Sequence, residues 1–529
     1  MNGTAGSWTQ RPWEGLFAVD HNNVERSLRT LRSSPTASPE QRAINVRSLL
    51  QQLGPHYSSF ALYLSSRPDL LPAEYCREFA LTSDSSSPLA ERTVEQILRT
   101  RLGADLDLYF LEFNPTPLRS TLICQSHLAT LRTGAPVTVL LLRPEYYSLQ
   151  TGRGALESFD VALLRRYCSE IVADKTVDDF INTLRRKTNF ATQAEALDQM
   201  AEDAASLEFL GSNKVYSELC TKCVMVIERR EDSSLNQFLG ALPDSADLLG
   251  LRMCEVWLHQ AFFGRCYPVD PRECNVLIRS NRQICFNECD LAALPKTAKE
   301  NLWNYLMAAA MDEPDIAALH LLAEMYPSPH ARVDPEAFRG SFRQAASFGE
   351  LEPILGTNSN SLPQLVFQHW KTAVKHGYSP HPHLLSLYRG LFSIARIGQA
   401  ICPARDLLRE GLEELRTAKT LRQFVDLAEW GSMLHEGDKF ATAFAQIPKA
   451  LNDLLSKAAH LSQESLLLSP RSQAEPESGS TLGGLAVLFL LAATVFVSQP
   501  SLQAGRWSPP LAALTLMLAG LLVLKRIMS

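Results

Sequence analysis

Tyr267–Ile278 reads YPVDPRECNVLI, and shortly after it Ile284–Leu294 reads ICFNECDLAAL. Asp270 and Asn275 stand five positions apart ahead of a short apolar run. Phosphoryl-transfer loops use this spacing to set a catalytic carboxylate beside the reacting group and an amide oxygen on magnesium. A second metal ligand, an aspartate, should follow the next apolar run. The chain has Asn287 there. An amide oxygen can reach magnesium but carries no charge, and Mg²⁺ favours carboxylate and phosphate ligands.

The surrounding chain is long enough for more than one core: 529 residues, 46% hydrophobic and 20% charged. A net charge of −6 with no basic domain argues against nucleic acid as a partner. Eleven cysteines are scattered without a disulfide framework, and the opening MNGTAGSWTQRPWEG lacks the apolar stretch of a secretory signal. A reducing, cytosolic setting is expected for the main domain. Near the end, Leu482–Val497 and Pro510–Leu524 contain no charged residue. As helices they would be roughly 22–24 Å long, slightly short for a hydrocarbon core of about 30 Å, but flanking Thr, Ser and Pro extend them. With Arg471, Lys525 and Arg526 outside and Arg506 in the turn, they read as a two-helix membrane hairpin with both ends cytoplasmic. Two buried core helices are the alternative.

Along the chain, residues 1–40 are Ser/Thr/Pro-rich and expected to be irregular. Helical spacing begins at Gln41 and stops at Gly54, a second helix breaks near Pro68, and residues 91–103 form a third. APVTVLLLRP (Ala135–Pro144) and CVMVIERR (Cys223–Arg230) read as strands, with a helix over Ala194–Leu210 between them. A helix follows at Asp247–Phe263, and residues 296–465 are mostly helical. The expected architecture is therefore α+β. It comprises an N-terminal helical extension (41–108), a smaller lobe with strands (109–230), a helical lobe (231–465), a linker (466–481) and the hairpin (482–526).

Taken in order, these segments resemble the UbiB (AarF-type) family of atypical kinase-like proteins. LGPHYSSFALYLSSRPDLLPAEY is similar to the family's N-terminal signature. PLRSTLICQSHLATLRTGAPVTVLLLRP is similar to its Ala-rich loop and following strand, and EALDQMAEDAASL to the helix that carries an ion-pair Glu. YSELCTKCVMVIER resembles the strand before the hinge, and VDPRECN and FNECDLAAL the catalytic and metal loops. The resemblance implies a bilobal protein-kinase-like fold, ATP and Mg²⁺ as cofactors, membrane association and support of ubiquinone or related isoprenoid-lipid biosynthesis. A membrane lipid, an isoprenoid or quinone intermediate and quinone-biosynthesis enzymes are the implied partners.

Several positions depart from that pattern. The family's strand Lys falls on Leu140, which cannot offset phosphate charge. Its ion-pair Glu is kept as Glu202 without that partner, so a surface or re-paired position is expected. The Lys, Gly and Gln of the N-terminal signature fall on Ser59, Ala61 and Leu62. Pro268, Arg272, Cys274 and Cys289 also replace the usual residues. What remains for nucleotide is Asp270 as the catalytic position, with Glu202, Asn275, Asn287, Arg119 and Gln125 around it, and His127 matching the loop. A shifted register would make Asp290 the metal ligand, and Arg119 would be a candidate to replace the missing Lys.

Losing both charge-compensating elements costs several kcal/mol of transition-state stabilisation. The expected protein is a membrane-anchored pseudokinase, with an active ATPase or kinase using rearranged residues as the alternative. Three further features carry less weight. Cys220/Cys223 with Cys285/Cys289 have poor zinc spacing; SLQTGRGALE lacks the Lys-Ser/Thr of a P-loop; and His381/His383 are expected in a solvated loop.

Overall fold

The computed structural model describes residues 38–425, apart from 104–105, 151–173, 206, 231, 242–245, 288–289, 329–332 and 346–360. The backbone forms two units, Met1–Leu412 and Glu413–Ser529. Of the second, the described part is 413–425, which belongs to the last described helix. The hairpin at 482–526 and most of the SLQTGRGALE stretch lie outside the described residues. Among those described, no helix is long and apolar enough to cross a membrane.

Three helices open the chain: α1 (Pro39–Gln52), α2 (Pro55–Leu64) and α3 (Ala73–Ala80). The Ser38 side chain caps α1 by accepting the Gln41 N–H, and Pro39 suits its first turn. Gly54 then takes φ of 110°, a left-handed value that favours glycine, and the chain turns directly into α2. Every α2 residue from His56 to Leu64 is buried. The next helix, α4 (Glu91–Leu102), buries Val94, Ile97 and Leu98, an i, i+3, i+4 stripe, against the sheet that follows.

That sheet is antiparallel, ordered β1 (Phe110–Ser120), β2 (Cys124–Leu131), β3 (Pro136–Leu142) and β5 (Val224–Glu228); β4 (Leu210–Gly211) belongs elsewhere. Pro115 and Pro117 are tolerated because β1 is an edge strand, and its register against β2 shifts at three places. Strand alternation decides what β3 does. Val137, Val139 and Leu141 face the α4 core together with Val224 and Val226. Leu140 therefore points to the opposite face, paired with Ser126 on β2 and Met225 on β5. The segment expected as an Ala-rich loop is mostly strand: Gln125 and His127 lie on β2, and only Thr121–Ile123 separates β2 from β1. The prolines of β1 concealed its extended pattern.

The larger part is built of helices around short strand pairs. Helices α5 (Asp174–Thr188) and α6 (Phe190–Ala204) precede β4, which pairs in parallel with β9 (Ile284–Phe286) in a sheet ordered β4-β9-β8-β6. Here β6 is Ser233–Ser234 and β8 is Val276–Ile278. A further pair, β7 (Tyr267–Pro268) with β10 (Leu291–Ala292), sets the Asp270 loop beside Asp290, whose carbonyl accepts the Val269 N–H at 2.8 Å. Helix α7 (Ala246–Phe262) is followed by α8 (Lys296–Ala310), α9 (Pro314–Leu322), α10 (Pro335–Ala345), α11 (Leu362–Lys375), α12 (Pro382–Ile401) and α13 (Leu407–Val425). Strands β11 (Met325–Pro327) and β12 (Tyr378–Pro380) interrupt this helical run. On α12, Gly390 allows a close approach: a Cβ there would meet Trp257 at 2.6 Å and the Pro268 carbonyl at 3.0 Å. That approach brings Ser393, one turn on, to Asp270.

Candidate functional site

A cleft runs under the Leu140 face of the sheet. Its lining includes Asp84, Thr121, Cys124, Leu140, Lys187, Gln193, Met225, Phe286 and Asn287. It encloses about 640 Å³ including its open mouth, of which about 50 Å³ accepts the centre of a water molecule. That is room for a few waters, well below the ~300 Å³ of a ready small-molecule pocket. Leu140 is 2% exposed, so its alkyl chain is packed into the cleft lining, where it offers no charge to an anion.

Asp270 is anchored by Ser393 Oγ, which donates to Oδ1 at 3.2 Å. Burial opposes its ionisation, but Arg272, Arg389, Lys187 and Arg396 outweigh that and hold the carboxyl below the usual aspartate range. It is an ionised carboxylate among cations, a poor setting for a base that must take a proton near neutral pH.

Asn275 is buried beside it. Its Oδ1 accepts from Arg119 at 3.4 Å, and its backbone carbonyl accepts the Asn287 N–H at 2.8 Å. Arg119 thus crosses from β1 to the Asp270 loop, with Cys274 Sγ at 3.7 Å and Asp84 at 3.8 Å. Arg272 reaches the same Asp84 at 3.0 Å. Asn287 lines the cleft. Asp290 does not: it is 1% exposed, and both its oxygens accept from Arg186, at 2.9 and 2.5 Å.

The remaining positions fall elsewhere. Glu202 sits at the surface near the end of α6, paired with Arg265, which also reaches Asp203 at 3.8 Å. The α6 residues that do line the cleft are Phe190, Gln193 and Leu197. Gln193 is spent on backbone: its Oε1 accepts from Leu291 N at 3.0 Å. Gln125 is fully buried and holds the strand turn, accepting from Leu89 N at 2.8 Å and Ser120 Oγ at 3.2 Å, while its amide contacts His127 Nε2 at 3.0 Å. His127 Nδ1 donates to the Asn114 carbonyl at 3.0 Å, so Nε2 is left to accept from Gln125. Burial lowers the His127 pKa and keeps that neutral form. Ser59 meets Tyr146 Oη at 3.3 Å, and Ala61 and Leu62 are buried with it in α2.

Sequence reading missed Lys187. It ends α5 in the run Arg185–Arg186–Lys187, and three basic residues closing an amphipathic helix were the available signal. The histidines also differ from expectation. His381 and His383 are both half-buried: His381 stands at the N-cap position of α12 without a side-chain capping bond, and His383, in its first turn, pairs with Glu324 at 2.6 Å. Cys220, Cys223 and Cys285 are free thiols, and burial pushes Cys285 up to about 12. No cluster of three or more His, Cys, Asp or Glu able to hold a metal occurs among the described residues.

Tested against this geometry, a magnesium nucleotide fits poorly. Asp290 is committed to Arg186, the Asn275 amide oxygen is capped by Arg119, and Asn287 brings no charge.

Residues 81–320 match the family model of the ABC1 atypical kinase-like domain. A probable protein kinase UbiB of Aeromonas hydrophila is 24% identical over 467 residues, covering 85% of this chain and 82% of the relative. Its namesake in Pseudomonas putida is 27% identical over 407 residues, covering 72% of each. A solved complex of Rv3197 with erythromycin, from Mycobacterium tuberculosis, aligns with a TM-score of 0.42 at 16% identity, covering 66% of this chain and 89% of that one.

Proposed function

We propose, from the premise that this chain is a UbiB-family atypical kinase-like protein, that it works as a membrane-anchored pseudokinase. Its role is that of an accessory or scaffold in ubiquinone or isoprenoid-lipid metabolism, the pathway that the resemblance implies. The observation that carries the pseudokinase reading is the commitment of the metal-side residues: Asp290 is held on both oxygens by Arg186, and Arg119 occupies the Asn275 amide oxygen. Mg²⁺ needs charged oxygen ligands at close range, and freeing Asp290 would strand Arg186. The uncharged segments at 482–497 and 510–524 supply the anchor in this reading and place the main domain on the cytoplasmic face. A lipid intermediate or a partner enzyme is then bound rather than phosphorylated.

A second reading, an ATPase or kinase using rearranged residues, is favoured by the cations at the cleft, Lys187 and Arg119. One experiment separates the two. The full chain, purified in detergent or nanodiscs, is assayed for phosphate release and autophosphorylation with Mg-ATP. The first reading expects none above a protein-free blank. Turnover that Asp270→Asn abolishes would replace it with the second. Membrane fractionation of the full chain against a version ending at residue 465 tests the anchor separately; equal release of both into the soluble fraction would remove it.

A further inference from the structure

Phe190, Gln193 and Leu197 of α6 line the Leu140 cleft, and the residues between them border a second hollow. Thr192, Glu195, Ala196 and Gln199 follow one another at i, i+3, i+4 and i+7, roughly 10 Å along the helix, and all four line it. The rest of the lining comes from Arg186, from β10 and its exit, from Cys266 and from the first turns of α12. The hollow encloses about 840 Å³ including its open mouth, and about 360 Å³ of it accepts the centre of a water molecule. A small organic molecule enters that space with no movement of the walls.

Two charges on this lining are unmatched. Asp290 takes Nε and Nη2 of Arg186, at 2.9 and 2.5 Å, and among the described residues Nη1 has no partner. Asp290 is buried and is not part of the lining, so the hollow receives the outer edge of the guanidinium. Five N–H donors on one guanidinium leave room for a second carboxylate beside the first. Glu195 is exposed and has neither an ion pair nor a hydrogen bond among the described residues. The other titratable groups are committed: His383 Nε2 lies 2.6 Å from Glu324, and the Cys266 thiol donates to the Ala196 carbonyl at 3.1 Å. A lone anion here would leave Glu195 unanswered, and a lone cation would leave Arg186 so. A molecule with both charges answers both. The apolar lining, Ala196, Leu291, Ala292 and Ala293, is small and aliphatic.

We propose that this hollow binds a free aliphatic α-amino acid, its carboxylate on the outer edge of Arg186, its ammonium on Glu195 and its side chain on the alanine-rich wall. The site is separate from the Leu140 cleft and does not depend on whether that cleft turns over nucleotide.

The full chain in detergent is titrated calorimetrically with L-leucine and with its two halves. These are 4-methylpentanoate, which lacks the ammonium, and isoamylamine, which lacks the carboxylate. Leucine is expected to bind with a dissociation constant below about 1 mM, and each half at least about fivefold more weakly. Glu195→Gln should weaken leucine by about fivefold or more and leave 4-methylpentanoate no weaker, a split that a merely structural change would not produce. Ala293→Trp, which fills the hollow, should abolish leucine binding. Both substitutions are at exposed positions, and melting of each variant without ligand checks folding. Arg186 is left intact, because its loss would strand buried Asp290; the isoamylamine titration tests its role instead. The proposal is overturned if leucine binds no more tightly than about 1 mM or if either half binds as well as leucine. It is equally overturned if Glu195→Gln binds leucine as the native chain does, or if Ala293→Trp still binds it.

Discussion

Putting the missing lysine back is the sharpest perturbation the cleft offers. Leu140→Lys restores the residue type that the family carries on this strand, but not its setting. The α6 residues opposite are Phe190, Gln193 and Leu197, and Glu202 is at the surface with Arg265. A lysine at a position only 2% exposed would find Asp84, the carboxylate of the same lining, already shared by Arg119 and Arg272, and would share the cavity with Lys187. It would be forced towards the neutral form. Deprotonating a lysine of ordinary pKa ~10.4 at ~pH 7.5 costs about 4 kcal/mol, and at ~pH 9 about 2 kcal/mol. The folded-state pKa lies below the unfolded one, so the penalty grows as pH falls through the interval between them. At about 2 cal/mol/K of unfolding entropy per residue, a unit of this size loses about 5 °C of melting temperature at ~pH 7.5 and roughly half that at ~pH 9. Leu140→Met, which keeps volume and apolarity, should cost less than about 1.5 kcal/mol. The assay is thermal unfolding of the full chain at both pH values, with Mg-ATP hydrolysis measured alongside. A Leu140→Lys variant that melts like the native chain at the lower pH, and that gains turnover, would refute the claim that the lysine's surroundings were lost with it.

Other outcomes follow from single contacts. Asp290→Asn removes one partner of a buried, doubly bonded ion pair and should cost about 3–5 kcal/mol in thermal or denaturant unfolding; if it instead left stability intact and abolished Mg²⁺ binding, Asp290 would be a metal ligand. Glu202→Gln breaks an exposed pair and should change stability by less than about 1 kcal/mol, with no effect on ligand binding in the cleft; a large loss of binding would place Glu202 in the site. Burial holds His56 at about 4 with neither ring nitrogen hydrogen-bonded. Its folded pKa lies below the unfolded value near 6.5, so stability should fall as pH drops from about 6.5 towards 4, by up to about 3 kcal/mol in all. His56→Phe should flatten that part of the stability–pH curve, and an unchanged slope in urea unfolding would show that another group is responsible.

Much of the fold was legible because its elements obey simple periodicities. The β3 segment alternates across a sheet with two different faces, and α4 carries a compact apolar stripe, so both stood out at nearly their observed bounds. The first hairpin did not. Its edge strand contains Asn114, Pro115 and Pro117 and shifts register repeatedly, which removes the period on which recognition depends. Gln125 was expected beside a nucleotide; its amide serves Leu89, Ser120 and His127, a set of contacts that only the fold could assemble.

The charges of the cleft were the least legible part, for a physical reason. A motif reports where a charge sits along the chain, whereas a ligand responds to where it sits in space. Judged by motif, the cleft had lost its cation at Leu140 and its metal carboxylate at Asn287. In space, a lysine from the end of α5 lines the same cavity, and arginines from β1 and from the Asp270 loop meet at Asp84. Arginine and lysine side chains reach several ångströms from their backbone, so one cleft can be charged from many chain positions. A divalent metal is harder to relocate, because its ligands must be anionic and must converge on one point. Cations can therefore move to new chain positions within a cleft whose metal site has no free carboxylate, whereas the converging carboxylates that a divalent ion needs cannot be supplied from scattered positions.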